Sequence, residues 1–327
     1  VELDGELVEL RSAVAVAPSG PSTPDAAALL RVAEAALRTA KRAEGRFAVA
    51  DDEPAPSSIH RLELISELRQ VLANGELELH LQPVVDLRGG RVARAEAHLR
   101  WRRGAERGGV PVELLELAEQ SGLIQPLTRW MVGEVAAAAL ELRRRGHDLT
   151  VTCDLSLREL ADPALCDFLA LLVSSGELDP STIEFEVAEV ELMDDPIRAR
   201  EVLGRLGALG LRIVVDDFGT GYSSLGAIEP LPVSGLKIDR SFVSGVAAGA
   251  SDGAVVRSTV ELCHELGLTV AADGVADERT LEVLAGFGCD LAQGPHLSDA
   301  LALEPFLERV AQLDAAARVW SGVSRTA

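Results

Sequence analysis

The chain of 327 residues reads as an α/β protein, a (β/α)8 TIM-like barrel preceded by a short α+β fragment. Three observations predict this. Strand-like runs alternate with helical stretches over about 260 residues, a length that suits such a barrel. A run such as Arg212 to Val215 is short, β-branched and nearly unbroken, as strands buried on both faces are. Polar groups recur at the strand ends, where barrels assemble active sites. An open doubly wound sheet is the alternative, but it normally gathers ligand groups at one switch point.

The elements follow in order. Residues 8–17 read as a strand, Ser19 to Thr23 as a turn, 25–44 as a helix with apolar positions at helical spacing, and 45–50 as a short strand. This piece, residues 1–50, is too small to bury a core alone, so it reads as the tail of a larger domain. Residues 51–59, charged and proline-rich, form a linker. The barrel domain is assigned to 60–318. Its helices are expected at 60–74, 111–121, 124–146, 157–176, 197–209, 253–266, 278–287 and 303–315, with a short one after Tyr222. Its strands are expected at 77–87, 92–101, 149–155, 183–188, 212–217, 235–239, 268–273 and 290–293.

The strand ends carry the chemistry. The second strand bears Glu96, the third Asp154, and the fourth Glu186 with Glu189 just beyond. The fifth ends in Asp216 and Asp217, the sixth carries Lys237 and Asp239, the seventh ends near Asp273 and the eighth near Gln293. Any one carboxylate is most simply a solvated surface group; seven strands in register are harder to explain so. Gly219 and Gly221 let the chain turn sharply after the fifth strand. Oxygen donors without a His/Cys ligand set favour Mg²⁺ or Mn²⁺ over zinc. Two such ions suit phosphodiester hydrolysis. Carboxylate-bound Mg²⁺ with a lysine base equally suits proton abstraction, and residue types alone leave both open.

Composition narrows the partners. Hydrophobic residues make up 47% and aromatics 3%, so the core is aliphatic. A net charge of −21 argues against binding DNA or RNA polymers or acidic membranes. Cys153, Cys166, Cys263 and Cys289 are scattered, which fits a reducing cytoplasm. No run is long and apolar enough to span a membrane.

The chain closely resembles the EAL domain family of cyclic-di-GMP phosphodiesterases over about residues 62–310. The matching stretches include LQPVVDL (81–87), EAHLRW (96–101), DLSLREL (154–160), EFEVAE (184–189), DDFGTGYSSL (216–225), LKIDRSFV (236–243) and AQG (292–294). The resemblance implies a barrel that hydrolyses cyclic-di-GMP to linear pGpG with two Mg²⁺ or Mn²⁺ ions. It puts Glu96, Asp154, Glu186, Asp216, Asp217 and Asp239 on metal positions and Lys237 on the catalytic lysine. Asp273 falls on the general-base position and Glu189 on the glutamate that steadies the loop after the fifth strand. Gln82 and Arg100 resemble substrate contacts, and Gln293 an active-site amide. A homodimer is expected by family analogy. Residues 1–50 resemble the end of a GGDEF domain, without its motif.

Several positions depart from the pattern. The eponymous triplet is Glu96-Ala97-His98, where a histidine packed in a barrel layer is favoured over a ligand. Asp154 stands for an asparagine, Asp273-Gly274-Val275-Ala276 for E-G-V-E, and Pro295 for an aromatic. An active phosphodiesterase is the leading expectation. A non-catalytic cyclic-di-GMP receptor is the alternative, and a nucleotide-free interaction module is opposed by the acidic ring.

Overall fold

A computed structural model describes residues 58–101, 121–220, 225–247 and 250–323 without interruption, plus 13–18, 47–49, two short strands before them and isolated positions within 26–40 and 115–119. Much of the expected strand 8–17, the turn at 19–23, linker residues 51–57, most of helix 111–121 and Tyr222 to Ser224 lie outside the described residues. Contacts divide the chain into two compact units, Val1–Glu67 and Leu68–Ala327. In the first, Val14–Val16 pairs in parallel with Phe47–Val49, and Glu2–Leu3 pairs antiparallel with Glu6–Leu7. Helical positions fall within 26–40, and helix α1 (Ser58–Asn74) begins inside the stretch expected to be linker.

The second unit is a closed eight-stranded barrel. Its strands are β1 (Leu77–Asp86), β2 (Val92–Trp101), β3 (Thr150–Asp154), β4 (Ile183–Ala188), β5 (Arg212–Phe218), β6 (Gly235–Ile238), β7 (Thr269–Ala272) and β8 (Leu291–Ala292). In the barrel they stand in sequence order, with β8 closing onto β1. Strands β2 to β8 are parallel, whereas β1 runs antiparallel to both neighbours. The reason is local. Only Leu87 to Arg91 join β1 to β2, far short of the dozen or more residues a parallel crossover needs. Asp86 builds the turn: its carboxylate accepts the Arg88 and Gly89 N–H groups, each at 3.0 Å. Gly90 supplies the positive φ of 67°.

Helices cover the outside. They are α2 (Ile124–Arg144), α3 (Leu157–Leu160), α4 (Pro163–Ser175), α5 (Glu189–Asp194), α6 (Pro196–Ala208), α7 (Leu225–Ile228), α8 (Arg240–Val243), α9 (Ala250–Glu265), α10 (Glu278–Gly286) and α11 (Leu303–Val323). The helix expected over 157–176 is two helices. Asp162 caps α4 by accepting the Ala164 N–H, and Pro163 at the first helical position restarts the chain. Asp195 and Pro196 start α6 in the same way. After β8 the chain returns to β1, where Leu301 exchanges two backbone hydrogen bonds with Leu81 at 2.7 and 2.9 Å. Among the described residues, no helix is long and apolar enough to cross a membrane.

The apolar core lies between barrel and helices and is aliphatic, with Phe185 and Phe306 its largest members. The barrel interior is different. Glu184, on β4 two residues before Glu186, shares its face. Its carboxylate meets Arg94 Nη1 of β2 at 2.6 Å and Arg212 Nε of β5 at 3.1 Å. Neither of its oxygens makes an aligned hydrogen bond, so the contact is ionic. Arg212 spans outward to Thr150 Oγ1 and the Ser181 carbonyl.

Replacing Arg94 by methionine leaves the Glu184 side chain, 1% exposed, facing Arg212 alone. Breaking a buried pair costs about 3 kcal/mol. The expected result is a lower urea midpoint for Arg94→Met; an unchanged midpoint would show that Arg212 suffices.

Candidate active site

The C-terminal ends of the parallel strands converge on Lys237. Its ammonium donates to Glu186 Oε2 at 2.6 Å, to Glu96 Oε2 at 2.8 Å and, more weakly, to Asp216 Oδ2 at 3.4 Å. Lys237, Glu96 and Glu186 are all buried. Burial alone would strip the lysine of its proton, but Glu186, Glu96, Asp216 and Asp154 outweigh it and hold its pKa well above the usual range. The lysine is therefore biased toward its charged form.

One lysine cannot neutralise the ring. Burial raises the Glu96 carboxyl, yet Lys237, His98 and a hydrogen bond from Gln293 bring it below its ordinary value. Burial wins elsewhere. It pushes Glu186 well up despite Lys237, and raises Asp216. Asp154, the exposed member of the group at the mouth, is pushed up to about 7 by loss of solvation among its neighbours, against Lys237 and with repulsion from Glu96, Asp216 and Asp217. Oxygens of Glu96, Asp154 and Glu186 lie within 4.8 Å of one another, a group that can hold a metal ion. An all-carboxylate donor set suits a hard divalent cation, and its charge would offset the repulsion recorded in these raised values. The donors therefore fit such an ion.

A second acidic group adjoins the first. Burial, then the charge of Asp239, raises Asp217, with Lys237 opposing and Asp273 adding repulsion. Asp217 has φ 53°, a left-handed conformation that aspartate tolerates better than most residues, and its N–H is held by Asp216 Oδ1 at 2.7 Å. Asp239 lies one residue beyond β6 and caps α8, accepting the Ser241 N–H at 2.9 Å with Oδ1. Asp273 follows β7 and is raised by burial, against Lys237 and a hydrogen bond from the Gly274 N–H.

The loop after β5 is tied down from β4's side. Glu189 is fully buried, and its Oε2 accepts the Gly219 N–H at 2.7 Å. Gly219 is required there: its φ is +102°, and a Cβ would sit 2.5 Å from the Phe242 ring.

The three remaining site residues lie on the β1, β2 and β8 side. Gln82 Nε2 donates to the Ser298 carbonyl at 3.0 Å. That fixes the amide orientation, so Gln82 Oε1 accepts from Gln293 Nε2 at 3.1 Å and faces His98 Nε2 at 3.0 Å. His98 must carry its proton on Nε2 to make that bond. Arg100 donates to the Leu99 carbonyl. His98 and Arg100 line a cavity of about 520 Å³ together with Asp154, Glu186, Asp216 and Glu191. The ring residues Lys237, Glu96, Asp154, Glu186 and Asp216 are thus brought together. Asp217, Asp239 and Asp273 adjoin them, and Gln82 and Gln293 bond to each other.

Sequence reasoning missed two supports. Ser156 and Glu159 form a reciprocal capping box directly after Asp154, and Thr128 Oγ1 closes on Glu159. The spacing S-x-x-E within DLSLREL was a usable signal. Glu191, whose Oε2 accepts the Leu157 N–H, carried none.

The EAL domain family model matches residues 65–300. The bifunctional diguanylate cyclase/cyclic di-GMP phosphodiesterase MucR of Pseudomonas aeruginosa is 36% identical over 252 residues, covering 77% of this chain and 37% of MucR. The cyclic di-GMP phosphodiesterase PdeR of Escherichia coli is 33% identical over 283 residues, 86% of this chain and 42% of PdeR. The chain therefore spans well under half the length of these relatives. A solved complex of the PaMucR phosphodiesterase with c-di-GMP superposes with a TM-score of 0.69 at 35% identity, covering 75% of this chain and 99% of that one. The EAL enzyme Bd1971 bound to cAMP and cyclic-di-GMP gives a TM-score of 0.69 at 27% identity, covering 88% and 76%. The chain belongs to the EAL domain family.

The raised Asp154 sets a pH dependence. A carboxyl whose folded pKa exceeds its unfolded value keeps a proton in the native state that the unfolded chain releases. Its contribution to stability is therefore lost as pH rises from 3.8 to about 7. In EDTA, the melting temperature should fall across that window, and more steeply in the parent than in Asp154→Asn. Parallel curves would remove Asp154 as the titrating group.

Proposed function

We propose that the barrel is a cyclic-di-GMP phosphodiesterase that hydrolyses its substrate to linear pGpG. The observation that carries this reading is the carboxylate ring closed around Lys237, whose members Asp154, Glu186 and Asp216 line the same cavity as Arg100. The MucR and PdeR names, and the c-di-GMP bound to PaMucR, support the substrate. Water adds to phosphorus and one P–O3′ bond breaks, leaving a 3′-hydroxyl and a 5′-phosphate.

In this reading Glu96, Asp154, Glu186, Asp216, Asp217 and Asp239 hold two Mg²⁺ or Mn²⁺ ions. When bound, such ions lower the pKa of a water and stabilise charge on phosphate oxygens. Lys237 orients the attacking water and counters the charge that builds on the phosphate. Asp273 takes the proton, although aspartate reaches one methylene less far than glutamate. Arg100 pairs with a phosphate oxygen, and Glu189 keeps the loop after β5 in place. Gln82 and Gln293 border the nucleotide.

A second reading, a receptor that binds cyclic-di-GMP without turnover, is favoured by one observation. Both ends of the Gln82 amide are taken by Ser298, Gln293 and His98, so its contact with a ligand requires breaking these bonds. We also propose that residues 1–50 are the end of a GGDEF domain, with 51–59 a linker and 60–318 the EAL barrel. A homodimer remains part of this reading. The free cysteines fit work in the reducing cytoplasm.

Purified chain with Mn²⁺ should convert cyclic-di-GMP to pGpG, separated by chromatography. Asp273→Glu should raise the rate at saturating substrate, by up to about 100-fold if the base is misplaced by about 1 Å. Binding without product in both proteins would select the receptor; no binding in either would overturn the substrate assignment.

A further inference from the structure

Helix α5 begins directly after β4 and carries two carboxylates in its first turn, Glu189 and Glu191. Strand β4 lies between β3 and β5 in the barrel. Glu189 reaches toward β5, where its Oε2 takes the Gly219 N–H at 2.7 Å, two residues after Asp217. Glu191 reaches the opposite way, and its Oε2 takes the Leu157 N–H at 2.6 Å, three residues after Asp154. One short helix thus grips the loops that follow carboxylates on both neighbouring strands.

The grip on the β3 side is complete. The Leu155 N–H goes to the Glu186 carbonyl and the Ser156 N–H to Glu159 Oε2, each at 3.0 Å; Leu157 goes to Glu191. Every backbone donor of the turn after Asp154 is held. The Ser156–Glu159 box takes the Ser156 and Glu159 N–H groups, and Glu191 takes the Leu157 N–H at the first position of α3, which the box leaves over. Its position is not cheap. Burial first, then the charges of Glu159 and Glu119, push its carboxyl above the ordinary range despite the Leu157 bond. It lines the same cavity as Asp154 and Glu186. A carboxylate held at a cost on the turn directly after Asp154, and lining the same cavity, points to a role in the site.

We propose that Glu191 is a positioning residue of the cation centre, fixing the 155–157 turn and through it the direction of Asp154. The inference rests on the cation-dependent reading of the mouth. Groups that orient metal ligands from behind change metal affinity without touching the ion.

The test compares the parent chain with Glu191→Gln, which retains an acceptor oxygen, and Glu191→Leu, which has none. Mn²⁺ affinity is titrated by calorimetry, hydrogen exchange is followed over residues 155–160, and melting is recorded in EDTA. Glu191→Leu should weaken Mn²⁺ binding by about 10-fold or more and speed exchange of the 155–160 segment, while the metal-free melting temperature holds or rises. Glu191→Gln should restore both affinity and protection. Glu191→Ala, which adds no apolar bulk to the cavity, is read in the same way should the leucine variant fail to fold. A leucine variant with parental affinity and exchange overturns the inference alone. A parent chain that binds no Mn²⁺ overturns the cation reading and the inference with it.

Discussion

The structure depends on a buried lysine outnumbered by carboxylates. Without Lys237, Glu96, Glu186 and Asp216 would bring three acidic side chains together in a place where water screens them poorly, a cost of several kcal/mol per uncompensated charge. With it, Glu96 is held ionised while Glu186, Asp154 and Asp216 are biased toward holding protons. Protons in such a site compete with metal ions, so cation binding and pH are linked through the same oxygens.

Anchoring follows from this imbalance. Carboxylates that repel one another keep their positions only if the backbone beneath them cannot yield. Beneath Glu186, Glu184 draws Arg94 and Arg212 together across three strands. Above, Glu189 and the Ser156–Glu159 box hold the loops after β5 and β3. Ionic contacts thus stand below the ring and hydrogen-bonded loops above it, with the aliphatic core outside. The aromatic-poor composition suits this plan, because Glu184, Arg94 and Arg212 form ion pairs where large apolar rings would leave no room for them.

Much of this was legible in the sequence, for identifiable reasons. A run such as Arg212 to Val215 announces a buried parallel strand, and the residues that end each strand announce the mouth. What was not legible depended on neighbours. The antiparallel course of β1 was written in the short LRGGR connection, but periodicity shows a strand without its direction. The split at Ala161 and Asp162 was hidden because both halves share helical spacing, and only the cap chemistry of Asp162-Pro163 separates them. The ion pairing of Glu184 could not be read at all, since its partners are remote in sequence. Gln82 is similar: the residue type suggests a contact, and only the fold shows that Ser298, Gln293 and His98 occupy its amide.

Apart from Asp154 on β3, the departures from the family pattern fall on one side of the barrel. His98 is on β2, Asp273 follows β7, and Pro295 and His296 follow β8. In the closed sheet β7, β8, β1 and β2 are consecutive. Strands β3 to β6 supply Asp154, Glu186, Asp216 and Lys237, and Asp217 and Asp239 with them. The sector from β3 to β6 therefore keeps its charged donors with one exchange, at Asp154, and in the contiguous sector exchanged side chains stand beside the retained Glu96, Arg100, Gln82 and Gln293. Within that second sector Gln82 is the junction, because Ser298 fixes its orientation and His98 and Gln293 share its oxygen. Such a junction couples substitutions that would otherwise act separately. Leucine, the residue of the family's triplet at position 98, could not donate to Gln82, which would leave that oxygen with Gln293 alone. The histidine in the triplet and the rebuilt segment after β8 are thus parts of one arrangement, which reaches the carboxylate ring at Glu96, 3.6 Å from His98 Nε2.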